Sequence, residues 1–181
     1  VCMQVQDFLG WAAYAAVACN AVTLAVIFDL SLSSKLRLPG LSLVRRFAGE
    51  IVVLLTIGAT LGSLYLSEIG NLIPCRYCWI QRIAMYPLAL ILSIAWLTRD
   101  KGVRKYAVPL SLGGLAFSSW HYLLHVFPSL EESTACNLLN PCTIKYIWKF
   151  GFVSIPYMAA SVFLLVALLL VGYRNNRHRI G

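Results

Sequence analysis

Long apolar segments alternate with short polar ones along this chain of 181 residues. Crossing a bilayer as a helix takes about 20 residues. Segments of that length predict five membrane-spanning helices, at about residues 8–30, 48–69, 77–98, 106–128 and 150–173. The second carries no charge from Ile51 to Ser67, and the last carries none from Phe150 to Tyr173. The pattern therefore predicts an all-α membrane bundle.

The composition supports a membrane protein. Hydrophobic residues make up 60% of the chain and charged residues 12%, whereas soluble domains are about half apolar and a quarter charged. The net charge of +8 reflects basic residues beside the spans, so we expect no nucleic-acid partner. Eleven of the 15 basic residues follow the first, third and fifth predicted spans. The positive-inside rule then places the amino terminus outside and the carboxyl terminus in the cytoplasm.

The first apolar segment is predicted to be a retained helix. No basic region precedes it in this sequence, and it is longer than the core of a typical signal peptide. Residues 1–47 are therefore interpreted as an extra transmembrane helix with a basic linker, and residues 174–181 as a basic cytoplasmic tail.

Two glycines lie one helical turn apart in the second predicted span, Gly58 and Gly62. This spacing lets the backbones of two membrane helices come close together. We predict that these glycines face another helix of the bundle, with dimerisation through them as the alternative.

Four of the six cysteines form two close pairs, and both pairs fall in loops predicted to face outward. Disulfides persist outside the cytoplasm. In "IPCRYCWIQR", Pro74 suits the start of a helix and places Cys75 and Cys78 at its amino end. There the helix dipole and free N–H groups favour a thiolate. The motif therefore predicts a redox-active pair, with a structural disulfide as the alternative.

Arg82 extends this motif into the third span. The spacing i, i+3, i+7 places Cys75, Cys78 and Arg82 on one helical face. A cation there stabilises a thiolate or an anion forming on a bound acceptor. An arginine inside the membrane costs about 2–3 kcal/mol, which favours a functional role. The alternative is that its side chain only extends to the interface.

The second pair, Cys136 and Cys142, allows several interpretations. Asn140 and Pro141 supply a turn that brings the two cysteines together. The pair is then either a plain loop disulfide or a second redox pair that exchanges with the first by thiolate attack. Four cysteines also match a zinc site in number, but two whole spans separate the two halves. We therefore predict no metal.

These residues resemble the DsbB family of bacterial membrane disulfide oxidoreductases. The matching features are "PCRYCWIQR", a cysteine pair before the last helix, and "WKFGFVSIP" at the start of that helix. The short spacing within the second pair is similar to the compact branch often called BdbC. The resemblance covers about residues 48–173 and implies a four-helix redox domain, to which residues 1–47 add one helix.

The resemblance implies a relay of disulfide exchange. A reduced DsbA-like thioredoxin-fold protein outside the membrane would attack Cys136, and Cys142 would pass the exchange on to Cys75. Cys78 would remain as a thiolate facing a membrane quinone. Systems of this family keep a bacterial periplasm oxidising.

The resemblance also implies the acceptor site and the location of the protein. Arg82 and His121 would lie beside the quinone, either menaquinone or ubiquinone, and His125 shares a helical face with His121. The protein would be a multi-pass thiol:quinone oxidoreductase of the bacterial cytoplasmic (inner) membrane, with its active loops outside.

Two other functions remain open. A vitamin K epoxide reductase-like protein also combines a quinone with loop cysteines, but in that family the loop cysteines precede the Cys-x-x-Cys motif. Here the Cys-x-x-Cys motif comes first. The other alternative is a non-catalytic membrane protein whose loops are held by structural disulfides.

Overall fold

The computed structural model describes residues 2–31, 39–100, 102–133 and 141–173. These residues form helices and contain no named strand, which confirms the predicted all-α architecture. The α-helices are α1 (Cys2–Ser31), α2 (Ser42–Arg46), α3 (Ala48–Leu64), α4 (Arg76–Thr98), α5 (Arg104–Val126) and α6 (Ile155–Gly172). A π-helical turn, Tyr65–Ile69, extends α3.

Within the described residues, four helical segments are long and apolar enough to cross a membrane: Gln4–Ser31, Ala48–Ile69, Arg76–Thr98 and Ile155–Gly172. The chain is thus a multi-pass membrane protein. Helix α5 is as long as α4, at 23 residues, but it is more polar and buries Ser111, Ser118, His121 and His125 in the bundle. The fifth span and the orientation therefore stay predictions.

Helices α3 to α6 form a closed bundle in which α5 packs between α4 and α6 and α3 contacts both α4 and α6. The contact between α5 and α6 is especially close. A Cβ atom at Gly114 would overlap the ring of Phe163. Beside it, the hydroxyl of Ser111 donates a hydrogen bond to the Phe163 carbonyl oxygen at 2.8 Å. This contact fixes the two helices that flank the cysteine loop.

Helix α1 packs against α6 from outside the four-helix bundle. Near its carboxyl end, the fully buried carboxylate of Asp29 pairs with the Arg45 guanidinium at 3.0 Å. The same carboxylate accepts a hydrogen bond from the Tyr173 hydroxyl at 3.0 Å. A partly buried ion pair with a second donor ties α1 to both α2 and the end of α6.

The last helix begins at Ile155 and not near residue 150, where the apolar pattern starts. Phe150 and Gly151 have φ angles of 57° and 77°, which reverse the chain and let Lys149 pair with Val153. Pro156, in the first turn of α6, then starts the helix. The apolar residues before it therefore form a turn.

Candidate active site

Cys75 and Cys78 lie at the amino end of α4, as predicted. Cys75 is the N-cap residue, and its sulfur accepts a hydrogen bond from the Cys78 backbone N–H at 3.4 Å. The two Sγ atoms are 3.0 Å apart and share a hydrogen bond. Both cysteines are free thiols, and Cys75 is buried. The chain geometry thus holds a dithiol ready to close into a disulfide.

The environment of Cys75 favours its thiolate. The pKa of Cys75 is lowered from 9.0 to about 4, with the hydrogen bond to the Cys78 side chain as the largest cause; burial opposes the shift, and a contact with the His121 ring adds to it. A thiolate stabilised in this way also stabilises the reduced pair, so the corresponding disulfide is a stronger oxidant.

His121 connects the dithiol to Cys142. Its buried ring places Nδ1 3.0 Å from the amide nitrogen of Gln81, and Nε2 3.6 Å from the Cys75 sulfur. Since the amide nitrogen donates, Nδ1 accepts and the ring proton lies on Nε2. That proton points to the carbonyl oxygen of Cys142, 3.1 Å away, and His125 Nε2 lies 3.1 Å from the same oxygen. Two imidazoles one turn apart on α5 therefore hold the Cys142 backbone.

Cys142 lies against the first cysteine pair. It is almost fully buried, packs in one cluster with Cys75 and Leu124, and is disulfide-bonded. Its predicted partner, Cys136, is outside the described residues. A small cavity of about 20 Å³ lies between Cys142 and the first cysteine pair. It is bordered by Cys75, Cys78, His121, His125 and Cys142. Three of the four predicted redox cysteines thus come together.

Arg82 lies on the other side of the dithiol and is held by α3. Its Nε atom donates to the Ser63 hydroxyl at 3.0 Å, and a terminal nitrogen donates to the Ser63 carbonyl oxygen at 3.1 Å. The guanidinium also lies over the Trp79 ring, 5.3 Å from its centroid. A cation–π contact and two hydrogen bonds fix this charge inside the bundle.

A large apolar cavity of about 380 Å³ begins beside Cys78 and Arg82. Its walls come from α1, α3, α4 and α6. The volume lies within the range of small-molecule sites. Gly58 and Gly62 line this cavity, and a Cβ atom at Gly58 would meet nothing within 4 Å. The prediction that both glycines face another helix holds at Gly62, where a Cβ atom would lie 3.4 Å from the Phe8 ring of α1. It was wrong at Gly58, which faces the cavity.

The predicted site residues divide between the two cavities. Cys78 borders both, Arg82 borders the large one, and Cys75 and His121 border the small one. The shared helical face predicted for Cys75, Cys78 and Arg82 is thus divided, because Cys75 caps the helix and faces the α5 histidines. His121 reaches the large cavity through Gln81, which lines it.

The same sulfurs and imidazole form a set of soft metal ligands. One ligand atom each from Cys75, Cys78 and His121 lies within 4.8 Å of the others. Zinc takes such donors in tetrahedral sites, which need a fourth ligand. A metal could bind here only while both thiols are reduced, so binding would compete with disulfide formation.

Two further residues complete the site and were not predicted from the sequence. Ser63 anchors Arg82 from a different helix, and nothing in the local sequence indicates it. Tyr146 borders both cavities and donates a hydrogen bond to the Ile73 carbonyl oxygen at 3.2 Å. Burial and then the nearby sulfurs of Cys78 and Cys75 raise the pKa of Tyr146. The sequence signal that could have pointed to Tyr146 is an aromatic residue four positions after Cys142.

Membrane helices thus hold a dithiol between a disulfide-bonded cysteine and an apolar cavity. This arrangement is that of a membrane protein that carries out thiol–disulfide exchange. A sequence model described as "Disulfide bond formation protein DsbB" matches residues 45–173. The chain therefore belongs to the DsbB family.

Individual relatives agree with the compact BdbC-like branch. The chain is 43% identical over 124 residues to "Disulfide bond formation protein C" of Bacillus subtilis (strain 168), covering 68% of this chain and 88% of the relative. It is 46% identical over 114 residues to "Probable disulfide formation protein C" of Halalkalibacterium halodurans, covering 62% and 82%. No solved structure matches. The protein thus has a disulfide-generating redox role in a membrane.

Proposed function

We propose that this protein is a thiol:quinone oxidoreductase that reoxidises a DsbA-like thioredoxin-fold protein outside the cytoplasm. One observation carries the proposal: a single dithiol lies between two unlike surroundings. Cys75 faces the buried, disulfide-bonded Cys142, while Cys78 opens with Arg82 onto the large apolar cavity. The first side suits exchange with a protein disulfide, and the second suits an acceptor dissolved in the membrane.

On the protein side, the exchange conserves thiols and disulfides at each step. A thiolate of the donor attacks Cys136, forms a mixed disulfide and releases Cys142 as a thiolate. Cys142 then attacks Cys75 in the Cys75–Cys78 disulfide and releases Cys78. Attack by the second donor thiol on the mixed disulfide frees Cys136, which in turn reduces the bond between Cys75 and Cys142. The donor ends as a disulfide and Cys75 and Cys78 as a dithiol.

The site is arranged to drive this exchange forward. The pKa of Cys75, lowered to about 4, stabilises the reduced pair and so makes its disulfide a better acceptor for electrons from Cys142. His121 and His125 hold the Cys142 carbonyl oxygen at 3.1 Å each. These contacts hold Cys142 close to Cys75, so less entropy is lost when the two sulfurs meet in the exchange reaction, and its barrier is lower.

On the membrane side, the residues present fit a quinone. The large cavity is apolar, and a thiol and a fixed guanidinium border it together. A bound quinone would supply the sink for the two electrons that Cys75 and Cys78 release when they form a disulfide. Of the two protons that the quinone takes up, one would leave the Cys78 thiol, and water would return the other, which Cys75 lost when it became a thiolate. Arg82, held by Ser63, would stabilise negative charge at this end of the cavity. His121 lies on the Cys75 side of the dithiol, with Nε2 3.6 Å from the Cys75 sulfur, and is linked to this cavity through Gln81, which lines it.

The test follows quinone absorbance with purified protein and a reduced thioredoxin-fold partner. We expect Cys75→Ala, Cys78→Ala, Cys136→Ala and Cys142→Ala each to abolish steady-state turnover. Cys78→Ala should still form a mixed disulfide with the partner through Cys136, which non-reducing electrophoresis detects. Cys2→Ala is the matched control and should keep its activity.

Three outcomes would contradict the proposal. Turnover that survives Cys78→Ala would remove the dithiol from the acceptor side. Turnover that survives the loss of Cys136 and Cys142 would make that pair a structural disulfide. Partner oxidation without quinone reduction by the unaltered protein would point to a different acceptor.

A further inference from the structure

Helix α1 lies outside the segment that matches the family, residues 45–173, yet it forms one wall of the large cavity. Phe8, Ala12, Ala16 and Cys19 line the cavity from this helix. These positions fall on one side of α1 with a spacing of three or four residues, as expected for a single helical face. A cavity wall is thus built from a part of the chain that the family match does not include.

The cavity is long, and its reactive groups lie at one end. Along α1 it extends from Phe8 to Cys19, which at 1.5 Å per residue is about 16 Å. Cys78 and Arg82 border the cavity at the start of α4. Phe163, in the middle of α6, borders its opposite end. An acceptor head beside Cys78 would therefore leave most of the cavity for an apolar extension.

The gap between α1 and α3 is held open by their residues. At one end Phe8 of α1 packs against Tyr65, in the π-helical turn that extends α3, with ring centroids 4.6 Å apart. At the other end Asp29 of α1 pairs with Arg45 of α2, the short helix just before α3. Between these contacts, Ala12 and Ala16 of α1 and Gly58 of α3 line the same cavity, and a Cβ atom at Gly58 would meet no atom of the described residues within 4 Å. Small side chains between two anchored ends cannot fill the space.

We propose that α1 forms the wall of a channel for the apolar tail of the electron acceptor. The proposal rests on the quinone-linked function above and adds the tail as the occupant of the cavity along α1 and α3. The channel is continuous with the space beside Cys78 and Arg82. A quinone ring bound between these two residues would lie at one end of the channel, which favours the acceptor's own isoprenoid tail over an unrelated lipid chain.

The first test compares two quinones with the same ring, one with a long isoprenoid tail and one without a tail. Ala12→Leu and Gly58→Leu fill the channel from opposite walls, so either variant alone can decide if the other fails to fold. We expect the ratio of kcat/KM for the tailed quinone over the tail-less one to fall about tenfold in both. Ala21→Leu, on the exposed side of α1, is the matched control and should keep the ratio.

The second test measures position without turnover. A quinone with a photoreactive group in its tail should label peptides from residues 8–19 in the unaltered protein, and Ala12→Leu should reduce that label. An unchanged ratio in both channel variants, or label confined to the outer surface of the bundle, would overturn the channel while leaving the proposed function in place. If the unaltered protein reduces neither quinone, the proposed function itself fails and the channel fails with it.

Discussion

The two sides of the dithiol differ in almost every physical respect. On the Cys75 side, imidazoles and a backbone carbonyl lie within hydrogen-bonding distance, around a cavity of about 20 Å³. On the Cys78 side, mostly apolar residues of four helices surround about 380 Å³, and the Arg82 guanidinium lies at its edge. Exchange between protein disulfides needs a short, fixed approach of sulfur to sulfur, whereas a membrane-soluble acceptor needs apolar room. The difference supports the proposal that each cysteine has its own partner.

His121→Ala should slow disulfide exchange on the Cys75 side strongly. It removes the contacts to the Cys75 sulfur and to the Cys142 carbonyl oxygen, so we expect partner oxidation to slow about a hundredfold. Rapid-mixing kinetics with the reduced partner measure this step directly. His125→Ala leaves the His121 contacts in place and should cause a smaller loss. A His121 variant that instead weakens quinone use and keeps normal exchange would move this histidine to the acceptor side.

Arg82→Met should impair the use of quinone on the Cys78 side and leave disulfide exchange on the Cys75 side largely intact. It removes the cation beside Cys78 together with its hydrogen bonds to Ser63, and we expect the KM for quinone to rise about tenfold. The rate of exchange with the partner should change much less, because the Cys75 side is intact. Arg82→Lys keeps the charge and should recover part of the loss, and Arg76→Met is a control at an exposed arginine of the same helix. A quinone titration identical to that of the unaltered protein would exclude Arg82 from the site.

A pair of glycine substitutions tests whether the open and the packed surfaces differ as described. Gly114→Ala forces a methyl group into the Phe163 ring and should cost about 1–3 kcal/mol of stability. Gly58→Ala adds the same methyl group where nothing lies within 4 Å, so it should not destabilise the protein. Thermal unfolding in detergent measures both. Equal losses would mean that the space beside Gly58 is filled in solution.

Local sequence was enough to predict one half of this site. A proline followed by two cysteines three residues apart fixes a helix start, and its end groups act on sulfurs within the first turn. The structure agrees, since Cys75 caps α4. The same spacing placed Arg82 one turn beyond Cys78, where both border the large cavity. Local geometry sufficed because every group involved lies within two helical turns.

Tertiary packing decided the other half. Ser63 binds Arg82 from α3, and no pattern near either residue indicates that the two helices meet there. Helical periodicity placed His121 and His125 on one face of α5, but it could not show that this face meets Cys142. The Gly58 spacing predicted contact and the structure has a cavity, because the residues opposite are also small. A helical pattern gives the direction of a side chain, whereas the neighbouring helix determines what it meets.

The reactivity of Cys75 should depend only weakly on pH. With its pKa lowered to about 4, Cys75 is a thiolate throughout the range from about pH 5.5 to 7.5. Its alkylation rate should therefore change less than about twofold over this range, whereas a thiol with the ordinary pKa of 9.0 would react about a hundredfold faster at pH 7.5 than at pH 5.5.

Mass spectrometry of the alkylated peptide, in Cys78→Ala and Cys78→Ser variants and in the unaltered reduced protein, separates the two sulfurs. Because the hydrogen bond with the Cys78 side chain is the largest cause of the lowered pKa of Cys75, Cys78→Ala, which removes this donor, should restore part of the pH dependence, whereas Cys78→Ser keeps a donor and should restore less. A hundredfold rise in the unaltered protein would show that Cys75 is protonated at neutral pH, and the polar side would then lack the stabilised thiolate that makes its disulfide oxidising.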